Sequence, residues 1–298
     1  MYLDHFGLEQ QPFTITPDTE FFLDYGYHKE ALNVLEYALF SGEGFIKVTG
    51  EVGTGKTLLC RKLLNSLGDG FVTAYIPNPF INPVALRMTL ASELGIRFPR
   101  NTGQPRLLEL INARLMQLHA GGRQVVLLLD EAQALPDDSM EALRLLSNLE
   151  TEKHKLLQVV LFGQPELDAR LQQAHLRQLR QRILFSYRLR PLESAALAVY
   201  LQHRLHVAGY RGLPLFTPRA LKLLSRSSRG IPRLINILAH KAMLSAFGRG
   251  DRCIDAIHIR KAAMDTEDIR PRHHRLAMTS GLIGLLTLTS AGFYAAWH

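Results

Sequence analysis

The chain is short of cysteine. It has two in 298 residues, Cys60 and Cys253, far apart and without metal-ligand spacing. That count offers no disulfide framework and suits a reducing compartment. Cys60 sits in a helical apolar pattern and reads as a small core residue. The twelve histidines are scattered, and the His273-His274 pair lacks the further ligands a transition-metal centre needs. No secretory leader is expected either, because MYLDHFGLEQQPF has neither a basic opening nor an apolar core. Internal repeats and low-complexity tracts are absent.

What the chain does have is FIKVTGEVGTGKTLL, residues 45–59. A short apolar run ends in glycines, then Lys-Thr, then a helical pattern. Gly50, Gly53 and Gly55 permit backbone angles that let successive N–H groups turn inward as an anion nest. The positive end of the following helix dipole points to the same place. Lys56 can reach the β- and γ-phosphates, and the Thr57 hydroxyl can ligate Mg²⁺. Glu51, Val52, Thr54 and Leu58 complete the stretch expected to wrap the phosphates of ATP or GTP.

A second motif separates a hydrolase from a mere binder. Val125 to Leu129 is unbroken and apolar, which predicts a strand buried on both faces, and Asp130 and Glu131 follow at its end. Carboxylates there emerge where open α/β sheets bind ligands. Asp130 can hold Mg²⁺, and Glu131 can orient and deprotonate water. Asp137 and Asp138, after Pro136, are the better candidates for starting the next helix. A third run, LQVVLFGQ (157–164), ends in Gln164, whose amide can both donate to and accept from the γ-phosphate and the attacking water. Two arginine groups could neutralise transition-state charge. Arg177, Arg180 and Arg182 precede an apolar run, and Arg233 lies on the first turn of a helix started by Pro232.

The order GEVGTGKT, LLLDE, FGQPEL, QRI, RGIPR resembles the AAA+ ATPases. FGLEQQPFTITPD and HKEAL narrow the resemblance to the ExeA/GspA-like group of secretion and pilus-assembly ATPases, nearest its MshM-type branch of MSHA pilus biogenesis. The likeness spans about residues 3 to 265. It implies ATP as the nucleotide and Mg²⁺ as its metal. Lys56 and Thr57 fall in the Walker A motif, and Asp130 and Glu131 match the Walker B acid and base. Gln164 stands at sensor 1, where many relatives carry Asn, and Arg233 matches sensor 2 acting in cis. Arg182 is the first choice for an arginine finger reaching a neighbouring subunit, with Arg180 second. Homo-oligomers are therefore expected. Phe13 or Ile15 is expected at the adenine.

The expected fold is an α/β P-loop NTPase of the AAA+ kind, with a parallel sheet sandwiched by helices and a small all-helical lid. Strands are predicted at 45–49, 71–76, 125–129, 157–163 and 183–189, with helices near 27–41, 56–67, 82–94, 105–119 and 138–151. After Pro191 only helical patterns remain, near 193–208, 218–227, 232–247 and 255–264. The predicted parts are an N-terminal segment (1–44) packing on the nucleotide site, a core (45–190), a lid (191–265), a basic linker (266–275) and a membrane helix (276–297).

That last part is 22 residues without a charge, LAMTSGLIGLLTLTSAGFYAAW. As a helix it spans about 33 Å, against a hydrocarbon core of roughly 30 Å. Tyr294 and Trp297 fit an interfacial belt. Arg270, Arg272 and Arg275 before it place the ATPase in the cytoplasm, anchored to the inner membrane with only His298 beyond the span. The net charge of +8 fits either an anionic membrane surface or phosphates of DNA. No segment is left over for a helix-turn-helix, so DNA is the less expected partner. An inner-membrane pilus or secretion assembly protein is the more expected one. The alternatives are an ATPase that recruits proteins to DNA and a nucleotide-gated scaffold with negligible turnover.

Overall fold

The unbroken apolar runs become strands because parallel strands are covered on both faces. The computed structural model describes residues 1–99, 101–151 and 154–267. Five strands form one parallel sheet: β1 (Phe45–Gly50), β2 (Phe71–Ile76), β3 (Gln124–Leu129), β4 (Leu157–Gly163) and β5 (Ile183–Leu189). Their order is β2-β3-β4-β1-β5. In register, Thr49 of β1 lies beside Gly163 of β4, and Leu129 of β3 beside Leu161 of β4. The ends of β1, β3 and β4 therefore share one edge, which brings the three sequence motifs together.

The helices are α1 (Tyr2–Phe6), α2 (Gly26–Phe40), α3 (Lys56–Ser66), α4 (Pro83–Glu93), α5 (Gln104–Ala120), α6 (Asp137–Leu146), α7 (Pro165–Leu171), α8 (Arg177–Arg182), α9 (Ser194–Val207), α10 (Pro218–Ser228), α11 (Pro232–Phe247) and α12 (Ala256–Met264). Alternation along β3 sorts the layers. Val125, Leu127 and Leu129 join a core built with α4 to α8, while Val126 and Leu128 join one built with α2 and α3. Each of these buried side chains contributes about 1.5–3 kcal/mol relative to exposure.

The four helices α9–α12 close a separate apolar cluster. Phe6, Leu8, Phe13 and Phe21 of the N-terminal segment belong to it. Within the expected 1–44 unit, α2 lies on the sheet and Phe6, Leu8, Phe13 and Phe21 lie on the helical part, while Phe22 joins the sheet-side cluster of α2 and α3. Arg204 fastens this arrangement: its Nε donates to Pro12 O at 2.6 Å, and its guanidinium lies 4.5 Å from the Phe21 ring centre.

The helix expected over 138–151 stops at Leu146. Ser147 Oγ donates to Arg144 O, and Arg182 Nη1 reaches both atoms, so the last turn finds partners without continuing. The chain then turns back, with Leu156 N–H donating to Leu149 O. Asp137 begins α6 but does not cap it. Its carboxylate is taken by Arg170 and His175. Among the described residues, no helix is long and apolar enough to cross a membrane. The predicted membrane helix (276–297) and nearly all of the basic linker lie outside the described residues.

Candidate nucleotide site

The loop between β1 and α3 turns at Gly53 (φ 82°) and Gly55 (φ 99°), both in the left-handed region. Thr54 is fully buried between them, its Oγ1 donating to Glu51 O at 2.8 Å. Lys56 Nζ reaches Gly50 O at 2.8 Å and Glu51 O at 3.1 Å. Burial pulls its pKa below the ordinary lysine value, against the nearby carboxylates of Glu131 and Asp130, which favour its charge.

Thr57 Oγ1 donates to Asp130 Oδ2 at 2.6 Å. Burial raises the Asp130 pKa, and the Thr57 hydroxyl together with the Glu131 N–H at 2.9 Å oppose that shift. A hydroxyl and a buried carboxylate side by side are the hard oxygen donors that suit Mg²⁺. Glu131 follows at φ 53°, strained for a residue with a Cβ. Gln164 Nε2 donates to Glu131 Oε2 at 3.0 Å, so the β3 and β4 motifs touch directly.

The helical part closes the other side. Arg233 N–H donates to Gly53 O at 3.2 Å. Arg233 lines one cavity with Gly53, Lys56, Thr57, Glu131 and Gln164. Of the residues assigned from sequence, Gly53, Gly55, Lys56, Thr57, Leu58, Val52, Glu131, Gln164 and Arg233 all border it. Ile15 does as well, 59% exposed, whereas Phe13 is buried edge-on against Phe216 with centroids 6.1 Å apart.

Arg182 and Arg180 are not in this cavity. Arg182 is bound to Arg144 O, Ser147 Oγ and Asn148 Oδ1 at the C-terminus of α6, and Arg180 lies exposed on α8. To reach a neighbouring subunit Arg182 must first release three partners.

Several lining residues carried no signal in the sequence. Thr14 and Thr16 line the cavity with Tyr200 and Asn236, and Asn236 Nδ2 donates to Thr14 O at 3.0 Å across 222 positions. Beneath the loop, His28 Nε2 lies 2.8 Å from Thr54 O. A carbonyl only accepts, so Nε2 carries the proton in the neutral ring. Burial holds the His28 pKa below its ordinary value. On acidification the unfolded chain therefore takes up this proton first, and stability falls as pH drops below about 6.5. One such proton gives a slope of at most about 1.4 kcal/mol per pH unit. His203 and His240 are also held down by burial, so the measurement is the difference between wild type and His28→Gln in chemical unfolding across pH. The amide keeps a donor for Thr54 O but does not titrate. Identical pH profiles would remove His28 from this role.

The family described as AAA domain matches residues 38–171. General secretion pathway protein A of Aeromonas hydrophila is 44% identical over 270 residues, covering 91% of this chain and 49% of that protein. The chain thus spans about half the length of the curated relative it matches. Among solved structures, the Aeropyrum pernix ORC1 protein in complex with DNA is similar with a TM-score of 0.64 at 21% identity, covering 92% of this chain and 76% of that one. Cdc6p of Pyrobaculum aerophilum gives 0.63 at 22% identity, covering 84% and 71%. At such identities the likeness speaks for the fold alone.

Proposed function

The chain belongs to the ExeA/GspA-like AAA-domain ATPases, and we propose that it uses ATP hydrolysis to assist assembly of a type IV (MSHA-like) pilus or type II secretion apparatus at the inner membrane. The observation that carries the switching part of this reading is the contact between Arg233 N–H and Gly53 O. It joins the helical part to the phosphate loop, so the nucleotide's state can set the lid's position. The 44% identity along 91% of the chain supports the secretion role.

In this reading the loop from Gly50 to Leu58 cradles the triphosphate and Lys56 offsets its charge. Thr57 and Asp130 would hold Mg²⁺, which would supply neutralisation of the triphosphate's charge. Glu131 accepts a proton from the attacking water, and Gln164 holds that carboxylate. Arg233 neutralises charge in cis from the lid, residues 191–265. A finger from a neighbouring subunit completes the site in a homo-oligomer. With Arg182 tied to α6, the exposed Arg180 is the freer candidate. The uncharged stretch 276–297 and the arginines before it would tether the ATPase on the cytoplasmic side.

A second reading, recruitment of partner proteins to DNA, has in its favour the net charge of +8. One experiment weighs the two. The full chain carrying Glu131→Gln is captured with ATP from detergent-solubilised membranes, beside Lys56→Ala as a control. Inner-membrane assembly proteins enriched only with the ATP-trapped form support the assembly role. Recovery of the chain in the soluble fraction, with duplex binding that weakens steeply with salt, would replace it by the DNA reading.

A further inference from the structure

Between Glu131 and Gln164 stands a residue that no motif marks. Gln133 lies in the single 3-10 turn Ala132–Ala134 that follows the β3 carboxylates. Gln164 N–H lies 3.0 Å from the Gln133 amide oxygen, and a backbone N–H can only donate, so that end of the amide is Oε1. The NH₂ end must then face the other way, where it donates to Glu131 Oε2. Gln164 Nε2 donates to that same oxygen. The turn itself is pinned from α7, since Arg170 Nη1 donates to Gln133 O at 2.6 Å and to Leu135 O at 2.7 Å.

We propose that Gln133 is a positioning residue for ATP hydrolysis, fixing the Glu131 carboxylate so that Oε1 is the oxygen that takes the proton of water. This rests on Glu131 acting as the base. Two N–H donors occupy Oε2, and the hydrogen bonds of Gln133 and Gln164 to this carboxylate both go to that oxygen, which leaves the lone pairs of Oε1 for water. Water passes its proton to Oε1, and its oxygen bonds the γ-phosphorus. The bond from phosphorus to the β–γ bridging oxygen breaks, and its electron pair leaves with ADP. The strained φ of Glu131 and the pinned turn leave the carboxylate little other freedom, so its aim depends on the amide.

The test uses the full chain with Gln133→Met, which keeps the length without the amide, and Gln133→Glu, which keeps an acceptor for Gln164 N–H but loses the donor. Both are expected to lower kcat about 10- to 100-fold, as loss of alignment does, with KM and nucleotide Kd within about twofold of wild type. In a Glu131→Gln background, Gln133→Met should lower turnover no further, because its effect passes through Glu131. Wild-type kcat in a folded Gln133 variant overturns the proposal, as does an undiminished further loss in the double variant. Unfolding of both variants would make Gln133 a packing residue and overturn it as well. Near-wild-type turnover in Glu131→Gln alone is a different result, which would remove the base itself.

Discussion

Glu131→Gln is expected to cut ATP turnover by about 10²- to 10⁴-fold while leaving ATP bound, because the amide keeps the carboxylate's shape but cannot accept the water's proton. The contacts around it argue for this split. Glu131 sits past the end of β3, whereas the groups proposed to hold phosphate are Lys56 and the loop N–H groups on the β1 side. Removing the carboxylate's charge leaves those groups untouched. It also leaves the Thr57–Asp130 pair at 2.6 Å intact. Lys56→Ala should behave oppositely and lose binding, since no other cation reaches Gly50 O and Glu51 O from within the loop among the described residues. Nucleotide Kd from titration and single-turnover rates measure the two effects separately. Near-wild-type turnover in Glu131→Gln would end the assignment of the base, and loss of ATP binding in that variant would show the carboxylate to be a structural part of the loop.

Much of this site could be read in the chain, and for a definite reason. A parallel strand buried on both faces leaves an unbroken apolar run, so Val125–Leu129 and Val159–Phe162 announce themselves, and their ends announce Asp130, Glu131 and Gln164. The glycines mark the loop because only they hold φ near 82° or 99° without strain. What stayed hidden depends on distant partners. Gln133 is an ordinary amide until β4 brings Gln164 beside it. Arg204 is an ordinary helical arginine until its Nε meets Pro12 O, 192 positions away. Arg182 stands where the family resemblance puts a finger, yet its guanidinium is used on the carbonyl end of α6, a demand that no local pattern displays. The helix expected over 138–151 ends at Leu146 for the same reason. Part of what satisfies its last turn comes from Arg182, on another helix.

Gly53→Ala is expected to lower ATP affinity at least about 10-fold and turnover further, through the joint between loop and lid. Two penalties act together. The residue sits at φ 82°, where a Cβ costs about 1–2 kcal/mol. The added Cβ would also stand 2.7 Å from Arg233 Cβ, closer than packed atoms tolerate, and 3.2 Å from Ile231 Cγ2, a tight contact. Neither neighbour is the loose end of a long side chain, so the loop or the start of α11 has to move. Each movement strains the bond between Arg233 N–H and Gly53 O and displaces Arg233 from the cavity it shares with Lys56 and Glu131. Gly95→Ala separates the two penalties. Gly95 has φ 71° and nothing within 4 Å of an added Cβ, and it is not among the residues lining the cavity. That variant should lose a similar 1–2 kcal/mol of stability yet bind and hydrolyse ATP as wild type does. Thermal unfolding, ATP titration and steady-state turnover of the two variants side by side are the measurements. If Gly53→Ala differs from Gly95→Ala in stability only, the contact between lid and phosphate loop carries no nucleotide signal, and the switching part of the proposed function falls.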